Sequence, residues 1–348
     1  MKSVLVCAAQ APFVSGGAEI HVRELVANLK RRGFRVDVVS LPFHGHPPLE
    51  VPRQALAWRL LELRHVTGDS VDLVIPTKFP SYLVRHHRKV AWVFHQYREA
   101  YELLGTDLSP LGESSEDRGI VDTIRAMDKA ALGECRALFA NSKNVAGRLA
   151  RYCGVQATPL YPPPQLVGRY RCDSYGDFLL APGRLDRAKR PELALRALAR
   201  AGSSVRLKLT GDGPLRGDLE RMAEELGVAS RVDFLGVVSE EELLALYAAC
   251  RAALYVPFDE DYGYVTIEAF LSSKPVVTAR DSGGPLEFVE DGVSGFVAAP
   301  EPEALADAID RLFALPEPKL AGLGEEGRRR VASISWDGVV DRLTELLP

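Results

Sequence analysis

No run of apolar residues in this chain approaches the roughly twenty that a membrane-spanning helix needs, so the sequence reads as soluble, at most peripheral to a membrane. The opening M-K-S-V-L-V-C-A-A-Q carries a lysine and an apolar stretch of only about seven residues. Because a glycine loop and an amphipathic helix follow, it reads as a first strand and not as a leader. Cysteine is sparse: Cys7, Cys135, Cys153, Cys172 and Cys250 are odd in number, scattered, and set in apolar or helical patterns. That usage implies buried thiols in a reducing, cytoplasmic setting and excludes a disulfide scaffold. Histidine is missing after His95, and the seven between His21 and there lack the spacing of a metal-ligand set. The dinucleotide fingerprint G-x-G-x-x-G is absent. So is any basic stretch interleaved with aromatics, which argues against a nucleic-acid partner.

What is present suits two domains. The chain has 348 residues, 47% apolar and 26% charged, ordinary for a soluble globular protein with a sizeable core. The net charge of −4 divides unevenly, with residues 1–167 at +5 and 168–348 at −9. In the basic half, Lys30-Arg31-Arg32, Arg35 and Arg85-His86-His87-Arg88-Lys89 form clusters suited to an anionic acceptor or membrane surface, or to solvated helix ends.

The pattern along the chain is α/β. Val4–Ala8 reads as a buried parallel strand, F-V-S-G-G-A-E as a loop, and Ala18, Val22, Leu25, Val26 and Leu29 as one face of a helix that Gly33 stops. Strands follow at Arg35–Ser40, Val71–Ile75 and Val90–Phe94. The last ends in His95, placed where a ligand-facing side chain of an open sheet belongs. Residues 99–119 read as a polar, helix-poor loop beside the acceptor. A helix over 122–135, a strand over 137–140 and a helix capped by Asn141-Ser142 close the first half. Tyr161-Pro162-Pro163-Pro164 opens a linker to about Tyr170. The alternation then restarts, with strands at Phe178–Ala181, Val205–Thr210, Val232–Leu235 and Gly295–Ala298 and helices at 192–201, 240–250, 302–313 and 337–347.

The densest stretch is Ala252–Thr278, a strand, an acidic loop, a helix from about Val265 and a second strand from Pro275. The amides of Gly263, Tyr264 and Val265 are first-turn donors suited to an anion such as phosphate. Glu260 and Glu268 flank them, able to take sugar or ribose hydroxyls, or merely to complement the helix dipole. Arg184 and Lys189, in the loop after the strand at 178–181, offer a planar fork and a mobile point charge for a diphosphate. Together these suit a nucleotide sugar whose leaving group is neutralised by fixed cations and dipoles, with no metal required and no cofactor. The Asp259-Glu260-Asp261 string matches the D-x-D of metal-dependent transferases, and reads as an accidental match beside that basic rim.

The chain resembles the family-4 retaining glycosyltransferases of the GT-B fold over nearly its whole length. The resemblance is carried by the E-x7-E motif E-D-Y-G-Y-V-T-I-E, then A-F-L-S-S-K-P-V-V, G-R-L-D-R-A-K-R-P-E-L-A-L, L-T-G-D-G-P, V-D-F-L-G-V-V, S-G-G-P-L-E-F-V-E-D-G-V-S-G-F-V and the early G-G-A-E. It implies two doubly wound Rossmann-like domains facing a cleft, an acceptor-side domain at 1–165 and a nucleotide-sugar domain at 166–330, with a helix at 331–348 crossing back to the first. It implies that Arg184 and Lys189 hold the donor diphosphate with Gly17 and the amides of Gly263, Tyr264 and Val265. Glu268 would bind the ribose, Gly236 and Val237 would lie by the base, and Glu260 and His95 would face the transferred sugar. The implied activity is retaining transfer of a hexose, from a UDP-sugar first and GDP-mannose next, to a glycan, lipid-linked or small-molecule acceptor in polysaccharide biosynthesis. Another GT-B enzyme, inverting or epimerising, and a non-catalytic nucleotide-sugar binder remain alternatives. Two departures, Tyr161-Pro162-Pro163-Pro164 in place of the usual linker and Lys274 in place of glycine, leave the acceptor open.

Overall fold

The computed structural model describes residues 1–12, 16–66 and 68–347, so Phe13, Val14 and Ser15 of the early glycine loop lie outside the described residues. The chain divides into two compact units, residues 1–165 with 334–348, and residues 166–333.

In chain order the first unit contains β1 (Ser3–Gln10), α1 (Gly17–Arg31), β2 (Arg35–Pro42), α2 (Val51–Arg59), the short pair β3 (His65–Val66) and β4 (Asp69–Ser70), β5 (Leu73–Pro76), β6 (Val90–Val93), α3 (Ser115–Gly133), β7 (Ala137–Ala140), α4 (Lys143–Cys153) and β8 (Thr158–Pro159). Parallel ladders give the orders β2-β1-β5 and β6-β7-β8. A parallel bridge between Val74 and Lys89 joins them. Strands buried on both faces read as continuous apolar runs, and Val4, Val6, Leu73, Ile75, Val90 and Trp92 are almost fully covered.

The second unit contains β9 (Phe178–Pro182), α5 (Pro191–Arg200), β10 (Arg206–Thr210), α6 (Arg216–Glu225), β11 (Val232–Gly236), α7 (Glu240–Ala249), β12 (Ala252–Leu254), α8 (Tyr264–Leu271), β13 (Val276–Ala279), β14 (Gly295–Ala298), α9 (Pro302–Phe313) and α10 (Glu317–Val331). Its six strands are parallel in the order β11-β10-β9-β12-β13-β14. Numbered from β9, that is the doubly wound order 3-2-1-4-5-6, whose switch point lies between β9 and β12. A final helix, α11 (Trp336–Thr344), belongs to the first unit: Val339, Val340 and Leu343 pack with Leu25 and Leu29 of α1. Asp337 and Asp341 pair with Arg31 and Arg32.

Several sequence expectations need correction. The helix expected from residue 122 begins at Ser115, because Ser114 caps it by accepting from the Asp117 amide at 3.0 Å, with Glu116 and Asp117 in the first turn. The segment before it is not a polar loop: Tyr97, Ala100, Tyr101, Leu103 and Leu111 are buried. The helices α2, α6 and α10 had no sequence reading. The last two are charge-rich and turn few apolar side chains inward, so their periodicity is faint. Of the cysteines, Cys172 is exposed and not buried.

Lys274 is fully buried, donates to the Ser174 carbonyl, and has its ammonium 4.2 Å from the centre of the Tyr175 ring. The left-handed residue at this turn is Ser273, with φ of 51°. A lysine therefore fits where its aliphatic stem fills the core and its head has a carbonyl and an aromatic face.

Candidate active site

The switch point of the second sheet gathers the loops leaving β9, β12 and β13 by main-chain bonds. Phe258 donates to the Ala188 carbonyl at 2.8 Å, Asp259 to Asp281 at 2.8 Å and Glu260 to Ser282 at 2.9 Å. The loop after β10 is drawn in as well, since a Cβ on Gly211 would lie 2.1 Å from the Gly183 carbonyl oxygen and one on Gly213 2.4 Å from that of Leu185. The close approach that the Gly211-Asp212-Gly213 turn permits is thus between two loops of the chain itself.

Within this frame Lys189 and Glu260 form an ion pair, and Tyr255 donates its hydroxyl to the same Glu260 oxygen at 2.9 Å. The Lys189 side chain is 29% exposed and that of Glu260 16%. Burial works to lower the lysine's pKa, but the Glu260 carboxylate and Tyr255 outweigh it and the net direction is upward. For Tyr255 burial and the adjacent carboxylate both push upward, keeping the phenol protonated as a donor. Arg184, 59% exposed, has Nε 3.7 Å from Asp186. Lys189 is thus more enclosed than Arg184, and it is neutralised within the chain.

Sequence reasoning missed Arg190. Its guanidinium donates to both Asp281 oxygens at 2.8 and 2.6 Å and to the Val256 and Pro257 carbonyls at 2.8 Å each, tying the β9 loop to those after β12 and β13. The residue sits at φ of 49°, a backbone state that its four side-chain bonds help to hold. The K-R-P triplet reads as a generic basic helix start, and its signal lies only in the fold.

Helix α8 starts at Tyr264, and Gly263 at its N-cap has φ of 86°. An added Cβ there would meet Pro285 Cγ and Tyr255 Cε1 at 3.0 Å each. Only glycine suits both the left-handed backbone and the space. One turn further on, Glu268 Oε2 accepts from the Tyr247 hydroxyl at 2.8 Å. Burial raises its pKa, and hydroxyl bonds from Tyr247 and Tyr170 oppose the rise. Neither tyrosine was read from the sequence. Gly236, at φ of 70°, ends β11, and Val237 beyond it is 81% exposed. Arg216 of α6 reaches back to this strand and donates to the Phe234 carbonyl at 3.2 Å.

The remaining candidates lie in the first unit. Gly17 opens α1, whose cap is the Gly16 amide bonded to Glu19 at 2.9 Å, and Glu19 pairs with Lys78 at 3.0 Å. His95 follows β6 and is half-buried, with Nδ1 2.8 Å from the Gln96 carbonyl oxygen. Asp259, in the D-x-D string, takes φ of 42°. Among the described residues no three His, Cys, Asp or Glu side chains converge as a metal cluster, and no helix is long and apolar enough to cross a membrane.

A doubly wound parallel sheet with cationic and carboxylate side chains in its switch-point loops places the second unit among the α/β folds that take ligands at that point. Two family models divide the chain: Glycosyltransferase Family 4 matches residues 15–162 and Glycosyl transferases group 1 matches residues 172–330. The chain belongs to this family of GT-B glycosyltransferases. A D-inositol 3-phosphate glycosyltransferase of Mycolicibacterium paratuberculosis is 26% identical, covering 94% of this chain and 84% of that protein. Among solved structures, sucrose-phosphate synthase from Thermosynechococcus elongatus has a TM-score of 0.79 at 21% identity, covering 99% of this chain and 98% of its own. The Anabaena protein HepE, solved in complex with UDP-glucose, has a TM-score of 0.72 at 19% identity, covering 100% and 99%.

Proposed function

We propose that the chain moves a hexose from a nucleoside diphosphate sugar to an acceptor with retention of configuration and without a metal ion. The observation that carries this reading is the enclosed Lys189 and Glu260 pair beside the start of α8. A lysine held by a carboxylate is charged and positioned before any ligand arrives. A diphosphate entering beside Gly263 would meet Lys189, Arg184 and the first-turn amides of Tyr264 and Val265, three sources of positive potential aimed at one leaving group.

Glu260, relieved of part of its lysine contact, would then lie beside the departing sugar and stabilise its oxocarbenium character. Glu268, oriented by Tyr247 and Tyr170, would accept the ribose hydroxyls. Gly236 and Val237 would border the base, and Gly17 the phosphates. His95 would hydrogen-bond the sugar. The acceptor hydroxyl attacks the face from which the phosphate leaves, and that phosphate takes the proton. The C1–oxygen bond to phosphate breaks as the new glycosidic bond forms.

UDP-glucose is the first donor to test, supported by the solved complex of the Anabaena neighbour, and GDP-mannose the next. Phosphorylated polyols head the acceptors to test, ahead of glycan and lipid-linked ones, because the full-length relatives are named for inositol phosphate. The setting is cytoplasmic. Of the basic clusters of the first half, Lys89 and His86 are buried and Arg31, Arg32 and Arg35 are paired with Asp337, Asp341 and Asp69, which leaves the exposed Lys30, Arg85 and His87 to meet an anionic membrane surface. The deciding measurement is NMR of the product formed from UDP-glucose with EDTA present. The reading expects an axial anomeric linkage like the donor's and an unchanged rate; an equatorial product, or a rate abolished by chelation, would overturn it.

A further inference from the structure

The first unit holds a polar cluster in its core that the proposed chemistry does not use. Asp128 of α3 is fully buried. Its Oδ2 accepts from the Tyr101 hydroxyl at 2.8 Å, and the same hydroxyl oxygen lies 3.8 Å from Cys153 Sγ of α4. That sulfur in turn accepts from Gln96 Nε2 at 3.0 Å. Around them stand aliphatic and aromatic side chains of the core, among them Ile124, Val145 and Leu149.

The four groups form a chain of hydrogen bonds with one direction. Gln96 donates to Cys153, the thiol faces the tyrosine oxygen, and the tyrosine donates to the carboxylate that ends the series. Gln96 is the residue after His95, and its carbonyl oxygen is the partner of His95 Nδ1. The side chain of one residue is therefore plugged into the core while its main chain holds the imidazole. The segment that follows is fastened at two further points: Arg125 Nε donates to the Ala100 carbonyl at 3.0 Å, and Glu102 binds Arg98 at 2.6 Å and Arg148 at 3.2 Å.

A buried carboxylate in a core is dearer than a packed hydrophobe of the same volume, so its presence calls for a role other than stability. We infer that Asp128 is a positioning residue, acting through Tyr101, Cys153 and Gln96 to set the orientation of the His95 imidazole. The inference rests on the reading of His95 as a sugar contact. The polar groups facing the carboxylate are Tyr101, Tyr82, Gln96 and Cys153, with Arg125 near the thiol. Lys89 lies near the far end of α3, bonded to the Ala131 and Tyr82 carbonyls and paired with Glu134.

The test uses the full chain and two readouts, the His95 imidazole resonance, assigned by its loss in His95→Ala, and hydrolysis of UDP-glucose. Asp128→Leu should move or broaden that resonance and lower kcat about tenfold with little change in donor KM, the size expected when a contact group is displaced by less than an ångström. Asp128→Asn, which keeps the acceptor for Tyr101, should restore both. Gln96→Met tests the other end of the chain should the leucine variant fail to fold. An unmoved resonance in Asp128→Leu, or in Gln96→Met, overturns the inference. A moved resonance with a His95→Ala enzyme of undiminished turnover upholds the positioning network and instead sinks the assignment of His95 to the sugar.

Discussion

The Lys189 ammonium and the Glu260 carboxylate, 71 residues apart in sequence, meet as an enclosed ion pair at the switch point of the second sheet, with the Tyr255 hydroxyl on the same oxygen. Each neutralises the other within the chain, and on the proposed reading an arriving diphosphate would compete for the lysine.

The two members have different proposed tasks, and that sets two different outcomes. Lys189→Met should weaken donor binding at least tenfold, read by isothermal titration with UDP. Glu260→Gln should bind UDP as well as the native chain or better, yet lose roughly a hundredfold or more in transfer. Equal loss of binding in both variants would show that the glutamate serves only to hold the lysine.

Arg190→Lys should be a damaging change even though charge is kept. An ammonium cannot span both Asp281 oxygens and two carbonyls, so bonds among three loops are lost at a cost of about 2 kcal/mol. For a protein of this size the melting temperature should fall by roughly 3 °C or more, with weaker donor binding. An unchanged melting curve would remove Arg190 from the frame of the site.

Gly263→Ala places a methyl 3.0 Å from both Pro285 and Tyr255 on a left-handed backbone. Strain of about 1–2 kcal/mol is expected from the backbone alone. The start of α8 must shift, and UDP binding measured by thermal shift should weaken more than overall stability does. Normal UDP affinity in this variant would argue that the helix start takes no phosphate.

Burial pushes the Asp128 carboxyl up to about 7, against the opposing hydrogen bonds of Tyr101, Tyr82 and Gln96. Its folded value exceeds the unfolded one of about 3.9, so the folded state binds the proton more tightly. The stability this contributes is complete below about pH 4 and is lost as pH rises toward 7. Asp128→Asn removes that slope. Melting curves should show the difference between variant and native chain widening in the variant's favour by roughly 3 °C from pH 5 to pH 8; a constant difference would mean that Asp128 stays charged throughout.

Much of the fold can be read from local pattern. Strand β7 at 137–140, β14 at 295–298 and α9 at 302–313 coincide with their sequence readings, because apolar runs and helical spacing report burial directly. The start of α3 differs from its sequence reading because the Ser114 cap, eight residues before 122, outweighs weak periodicity. Helices α6 and α10 were invisible because few of their side chains turn inward: α10 buries Gly324 and Gly327, where a Cβ would strike the Ser273 carbonyl at 1.8 Å and the Phe270 ring at 2.2 Å.

By itself the sequence determined the α/β alternation, the glycine-lined turns and the supply of two glutamates, an arginine and a lysine in the loops of the second half, since spacing along a chain dictates which residues share a strand end or a helix turn. Only the tertiary structure decided that Lys189 closes on Glu260, that Arg190 spans 91 residues to clamp Asp281, that Tyr247 bonds Glu268, and that Asp128 is linked through Tyr101 and Cys153 to Gln96. Those partners are set by how loops and helices distant in sequence converge within each unit, and periodicity carries no record of that convergence.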